Sequence, residues 1–183
     1  MVAMSTLIVT RTESGVSHSF QDEPVLAEGD TLVNVQHSSL NYKDAMALEG
    51  DKGVMRIDPL VPGIDVVGTV AESTDERLSP GQLVAAFGDG LGEFRHGGYT
   101  PQMRIDAKDI TRVPERFSAF EAAAIGTAGY TAALSVAGLE RVALSPLDGP
   151  VLVTGATGGV GSIAVQLLAA RGYEVWALTG RVD

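Results

Sequence analysis

Along residues 1–113 the apolar positions fall in short runs broken by turn residues, a pattern that predicts strands rather than helices. The runs place strands at Leu7–Thr10, Thr31–His37, Asp65–Val70, Leu83–Phe87 and Tyr99–Ile105. Glu28-Gly29-Asp30, Pro62-Gly63 and Ser79-Pro80-Gly81 separate them, with proline presetting φ and glycine supplying the positive φ of a tight turn. A short helix is expected at Tyr42–Glu49. At Ser118 the pattern changes. Ser118-Ala119-Phe120-Glu121 has the spacing of a capping box, and alanine-rich helix follows until Gly126-Thr127-Ala128-Gly129 breaks it. A second helix should run to about Leu144, and Ser145–Gly149 should form a loop.

The rest of the chain changes period once more. Val151-Leu152-Val153 reads as a short buried strand and Gly155–Gly161 as a glycine-rich turn. Ser162–Arg171 reads as a helix closed by Gly172, and Tyr173–Leu178 as a second strand. That is one βαβ unit. The pattern predicts a mixed α/β chain, with an irregular β-barrel over 1–117, then connecting helices and the βαβ unit over 118–183.

With 183 residues, 45% of them hydrophobic, the chain can bury a real core, and disorder is not expected. It has no cysteine, which excludes disulfides, thiolate zinc sites, iron–sulfur clusters and a cysteine nucleophile. Thirteen basic residues against twenty-three acidic ones give a net charge of −10, the opposite of a nucleic-acid-binding footprint. From Pro150 onward the charges are Arg171, Glu174, Arg181 and Asp183, so the whole excess lies before Pro150. No basic segment followed by an apolar core opens the chain, so a secretory signal is not expected. The uncharged stretch between Glu121 and Glu140 is interrupted by Gly126, Gly129, Ser135 and Gly138, and it reads as core helix rather than a membrane span. A cytoplasmic protein is the expectation.

Thr154-Gly155-Ala156-Thr157-Gly158-Gly159-Val160-Gly161 follows a strand and opens a helix, the context a dinucleotide fingerprint requires. Aligned on the helix, Ala156 takes the first glycine's place. Gly158 would let the backbone approach a pyrophosphate, and Gly161 would let the helix close on the strand. The bland alternative is a simple tight turn. Eighteen residues after Gly161, where sites for NAD carry an acid, the chain reads Thr179-Gly180-Arg181. Hydroxyl, glycine and guanidinium together favour a 2′-phosphate and hence NADP(H), against the alternative of an exposed arginine at a strand end. Asn41-Tyr42-Lys43-Asp44 sets amide, phenol, ammonium and carboxylate where a strand gives way to a helix. Asn41 as N-cap and Asp44 as first-turn acid would explain two of these residues and leave Tyr42 unexplained. Gly126–Thr131 is either a helix break or the wall of a cleft. His18, His37 and His96 lack metal-ligand spacing and read as structural, with His96 beside Arg95 in a glycine-bounded loop the one to watch.

Taken together, Ser38-Ser39-Leu40-Asn41-Tyr42-Lys43-Asp44, Pro62-Gly63-Ile64-Asp65, Gly126-Thr127-Ala128-Gly129-Tyr130-Thr131-Ala132, Val153–Gly161 and Thr179-Gly180-Arg181 resemble the medium-chain dehydrogenase/reductase superfamily. The likeness is closest to its zinc-free quinone-oxidoreductase branch, and within that to the NADPH-dependent acrylyl-CoA reductases. It implies a GroES-like barrel followed by a Rossmann domain, in chains about twice this length that commonly form homodimers. The present chain is then expected to hold the barrel and the first βαβ unit, and to be inactive or nearly so alone. Carried over, Tyr42 would touch the nicotinamide end of NADPH. Thr157, Gly158, Gly159 and Val160 would form the pyrophosphate loop, and Thr179, Gly180 and Arg181 the 2′-phosphate clamp. Asn41, Asp44 and Thr127 would support nicotinamide and substrate. Zinc-dependent relatives read Gly-His-Glu where this chain has Gly63-Ile64-Asp65, so no metal is expected. The implied reaction is reduction of the activated C=C bond of an acrylyl-type acyl-CoA thioester. The alternatives are a quinone or enone acceptor and a non-catalytic NADPH-binding or sensor protein.

Overall fold

The computed structural model describes residues 5–180, and the chain divides after Gly126 into two compact units. In the first unit, β1 (Thr6–Thr12) and β2 (Gly15–Gln21) form an antiparallel hairpin. Strands β3 (Thr31–His37), β4 (Asp65–Ser73), β5 (Leu83–Phe87), β6 (Gln102–Ile105) and β7 (Thr111–Arg112) form an antiparallel sheet ordered β6-β3-β4-β5-β7. Helix α1 (Tyr42–Leu48) leaves the end of β3. Val9 and Leu60 exchange two backbone hydrogen bonds of 2.8 and 2.9 Å, which tie the hairpin to the segment ahead of β4.

The side chains explain this arrangement. In β3, Thr31, Val33 and Val35 are buried while Asn34 and Gln36 are exposed, the period-two alternation of a half-covered strand. Central β4 is buried on both faces. Val66 and Val70 join Val33, Val84, Met103 and Ile105 in one cluster, and Val67 faces Ala85, Ala122 and Ala123 in another. A third cluster gathers Val9, Ala47, Val54, Met55 and Leu60 beneath α1. At Gly68 a Cβ would come within 2.0 Å of the Asn34 carbonyl oxygen, so only glycine lets β3 and β4 approach there.

Strand β2 has no counterpart among the expected strands. Its residues are almost all exposed and its composition is polar; pairing with β1 forms it, and apolar alternation plays no part. Strand β7, two residues long, was equally invisible. The strand expected from Tyr99 begins only at Gln102, because the backbone bends from Gly98 through Pro101 and proline lacks the N–H a ladder needs.

Helix α2 (Ala119–Arg141) opens on the expected capping box: Glu121 Oε2 accepts from the Ser118 N–H at 2.8 Å, and Ser118 Oγ accepts from the Glu121 N–H at 3.2 Å. By length and composition alone α2 could cross a membrane. Its backbone breaks at Gly126 (φ 46°, ψ −158°), however, and the boundary between the compact units lies there. The helix after the break, 127–141, reaches only about 22 Å at 1.5 Å per residue, short of the roughly 30 Å hydrocarbon layer.

In the second unit, β8 (Val151–Thr154) and β9 (Val175–Leu178) pair in parallel, joined by α3 (Gly159–Ala170). This is the expected βαβ unit. Val136, Leu168 and Tyr173 form its core, with Leu139, Val151, Val153 and Val175 packed against it. Read as a short buried strand, β8 is covered only in part, as a lone βαβ unit implies: Leu152 is 57% exposed, and in β9 Trp176 and Leu178 are 58% and 54% exposed. Among the described residues, α3 packs against this two-stranded sheet and its other face is left open.

Candidate active site

The step from β3 into α1 is held by a dense hydrogen-bond network. Asn41 is the N-cap of α1, with extended φ/ψ of −117° and 158°, and it forms a capping box with Asp44. Asp44 is fully buried. Its Oδ2 accepts from the Asn41 N–H at 2.8 Å and its Oδ1 from the Ile64 N–H at 2.9 Å, so one carboxylate joins the helix to the loop before β4. Burial pushes the Asp44 carboxyl above the ordinary carboxylate range, opposed by these backbone bonds.

The Asn41 amide donates to Asp65 Oδ2 at 3.0 Å and to Ser39 Oγ at 3.3 Å. Ser39 donates its hydroxyl to the same Asp65 oxygen, and the Ser38 hydroxyl donates to the Asp65 carbonyl at 2.6 Å. Tyr99 closes the group by donating to the Ser39 carbonyl at 3.3 Å. Burial, reinforced by the charges of Asp44 and Asp65, holds the Tyr99 phenol far above its usual range, so it acts as a fixed donor.

Tyr42 occupies the first position of α1 and is 84% exposed. Of the residues expected at this site it alone stands free to meet a ligand. Asn41 and Asp44 have their polar atoms committed to the helix entry and serve there by holding position.

In the second unit the glycine-rich loop turns on Gly155 (φ +60°). The left-handed residue is thus Gly155 and not the neighbouring Ala156, which is buried in an ordinary conformation and so does not fill the first glycine's role. Gly158 is the N-cap of α3, and its N–H donates to the Gly155 carbonyl at 2.9 Å. A Cβ on Gly161 would lie 2.3 Å from that carbonyl, so glycine is what lets the helix close on the strand. Thr157, Gly158, Gly159 and Val160 are exposed at the helix N-terminus, where unpaired N–H groups and the helix dipole favour phosphate. Thr157 and Thr179 come together, their hydroxyl oxygens 3.1 Å apart. Gly180 is exposed beside them in sequence, Arg181 lies outside the described residues, and Thr127, half-buried, directly follows the break at Gly126.

Sequence reasoning missed Ser39, Asp65 and Tyr99 as parts of the α1 entry. A signal for Asp65 existed, since a lone acid opening an apolar buried run must be hydrogen-bonded. Nothing in the sequence shows which partners it takes. Among the described residues no group of three or more His, Asp or Glu is placed to hold a metal ion. Ile64, in the run Gly63-Ile64-Asp65, is buried.

Comparison with known proteins bears directly on this architecture. Residues 27–115 match the family model for the alcohol dehydrogenase GroES-like domain. An acrylyl-CoA reductase of Ruegeria pomeroyi is 46% identical over 174 residues, covering 94% of this chain and 52% of that protein. YhfP of Bacillus subtilis, with quinone oxidoreductase in its name, is 46% identical over 155 residues, covering 85% of this chain and 47% of that one. The YhfP structure with NAD bound superposes with a TM-score of 0.91. An oxidoreductase of Salmonella enterica, solved in complex with NADP, has a TM-score of 0.93 at 44% identity, covering 98% of this chain and 56% of that chain. The chain therefore spans about half the length of the relatives it matches. It joins a GroES-like β domain to the opening βαβ unit of a Rossmann domain, and it belongs to the medium-chain dehydrogenase/reductase superfamily.

Proposed function

We propose that the protein is a metal-independent NADPH-dependent reductase that saturates the activated C=C bond of an acrylyl-type acyl-CoA thioester. The observation that carries this reading is the glycine loop of β8 and α3, whose close approach at Gly155 and Gly161 leaves an open, donor-rich helix N-terminus. Gly161 lets α3 close on Gly155, and Thr157, Gly158, Gly159 and Val160 lie exposed at the helix N-terminus, which is the fit expected of a pyrophosphate site. When bound, NADPH supplies the hydride. Thr157, Gly158, Gly159 and Val160 would hold its pyrophosphate, and Thr179, Gly180 and Arg181 its 2′-phosphate. The Thr157–Thr179 contact already brings the two segments together.

The β-carbon of the thioester accepts the hydride, the α-carbon accepts a proton, and charge develops on the thioester oxygen in between. A donor aimed at that oxygen or at the nicotinamide carboxamide is what the protein must supply. Tyr42 has the chemistry and the exposure for it. Asn41 and Asp44 fix the helix turn from which it projects, and Thr127 is assigned to nicotinamide and substrate support.

A quinone acceptor is the second reading, favoured by the similarity to YhfP. The two differ in one assay: NADPH oxidation by the protein at its full natural length, with acryloyl-CoA set against a naphthoquinone. Faster turnover of the thioester is expected. Preference for the quinone would install the second reading, and tight NADPH binding without turnover of either would indicate a sensor. A homodimer in a cytoplasmic setting is part of the same proposal, and sedimentation of the active protein tests the oligomeric state.

A further inference from the structure

The residue that ties the α1 entry together is Asp65, which closes the Pro62-Gly63-Ile64-Asp65 run and carries no cofactor role in the proposed function. Asp65 is fully buried at the first position of β4. Its Oδ2 gathers the Ser39 hydroxyl and the Asn41 amide at once, and its main-chain carbonyl takes the Ser38 hydroxyl. A carboxylate only accepts, so Asn41 can turn no atom but Nδ2 toward it, and the orientation of that amide is settled. The same oxygen bears on Gly126: a Cβ there would lie 2.6 Å from Asp65 Oδ2 and 2.9 Å from Ser39 Oγ. Three polar positions before Tyr42 are thus referred to one residue of the central strand, 39 and 41 to its carboxylate and 38 to its main-chain carbonyl.

We propose that Asp65 is the positioning residue of the Tyr42 site. It touches no ligand. Acting through Ser39 and Asn41, it fixes the strand-to-helix step so that the phenol at the first turn of α1 stands in one place, although its own ring is held by almost nothing. The proposal rests on the reading of Tyr42 as a ligand contact.

Two measurements test it, hydrogen exchange on the chain and NADPH titration on the protein at its full natural length. In amide hydrogen exchange, Asp65→Asn should raise the rates of Asn41–Ala45 about tenfold, the scale of one lost hydrogen bond, while β8 and β9 keep theirs. Ser39→Ala removes one spoke without disturbing the buried carboxylate's place, and it should do the same to a lesser degree; it decides the matter if Asp65→Asn does not fold. Unchanged exchange at Asn41–Ala45 in the folded variants would overturn the proposal, and so would a uniform rise across both units, which marks general destabilisation. In NADPH titration, weaker binding by both variants at unchanged thermal midpoint supports positioning. A lowered midpoint with wild-type affinity assigns Asp65 a purely structural role and overturns it. If the wild-type protein at its full natural length fails to bind NADPH, the cofactor reading fails on its own, and the exchange result still decides whether Asp65 orders the step into α1.

Discussion

The two compact units satisfy their backbones and their apolar surfaces in different ways. The first closes a five-stranded antiparallel sheet over its own clusters, with Val33, Val66, Val84, Met103 and Ile105 at 2% exposure or less. The second offers two parallel strands and one core cluster, and leaves Leu152, Trp176 and Leu178 more than half exposed. Antiparallel strands joined by short turns can complete a domain locally, whereas a parallel pair needs further crossovers before both faces are covered. The difference teaches where stability and where binding should reside. The first unit can hold a buried polar network rigidly, and the second presents open backbone for a ligand to meet.

The comparison breaks most directly in the core of the first unit. Met103→Ala, at a fully buried position, should cost about 2–5 kcal/mol in urea unfolding; a loss no larger than that of an exposed residue would mean the sheet is not the stable part. Next in size is the cofactor assignment of the second unit. Arg181→Ala should weaken NADPH by about 1.5–3 kcal/mol, the worth of a hydrogen bond to a charged group, and leave NADH nearly unchanged. Equal losses for both cofactors, read by titration, would remove the 2′-phosphate clamp.

Tyr42→Phe tests the contribution of the first unit and should be smaller. Removing one neutral hydrogen bond of about 0.5–1.5 kcal/mol should raise KM for NADPH up to about tenfold with kcat preserved. A fall in kcat and kcat/KM together would shift the phenol from cofactor to developing oxyanion, and wild-type kinetics would show that it contacts neither.

His96 supplies a pH test confined to the first unit. Its Nδ1 accepts from the Val61 N–H at 3.1 Å, and burial lowers its pKa from the ordinary 6.5. It stands beside Arg95, Arg104, Glu28 and Asp106 around one cavity. A depressed folded pKa means that the unfolded chain takes up the proton first. The stabilising bond is fully present above pH 6.5 and is lost as pH falls through the lower folded value. Denaturation midpoints should therefore drop on acidification below that point, and His96→Gln should flatten this part of the profile. The smallest effect on stability is expected at the open face of the second unit. Trp176→Ser should change it by about 0.5 kcal/mol or less while reducing self-association in sedimentation, because an exposed apolar face is what drives such contacts.

How far the sequence speaks can be judged from particular residues. Periodicity alone located β3 and β5 to the residue, the capping box at Ser118 and the βαβ unit, since each is a local matter of which side chains repeat on one face or satisfy a neighbouring donor. It could not find β2, whose polar residues are strand only because β1 lies alongside. Nor could it choose between two roles for Asn41 and Asp44, because the choice depends on Ile64 and Asp65, some twenty residues away. The glycine loop was legible as a motif, yet which glycine bears the left-handed turn was set by the strand and helix it joins. Composition and local pattern thus determined the elements, the absence of thiol chemistry and the candidate cofactor loop. Only the tertiary structure decided that Asn41 and Asp44 are committed to hydrogen bonds of the helix entry, with Asp44 fully buried, that Tyr42 stands exposed, and that Asp65 bonds to the step between them. Hydrogen bonds between distant segments leave no period in the sequence.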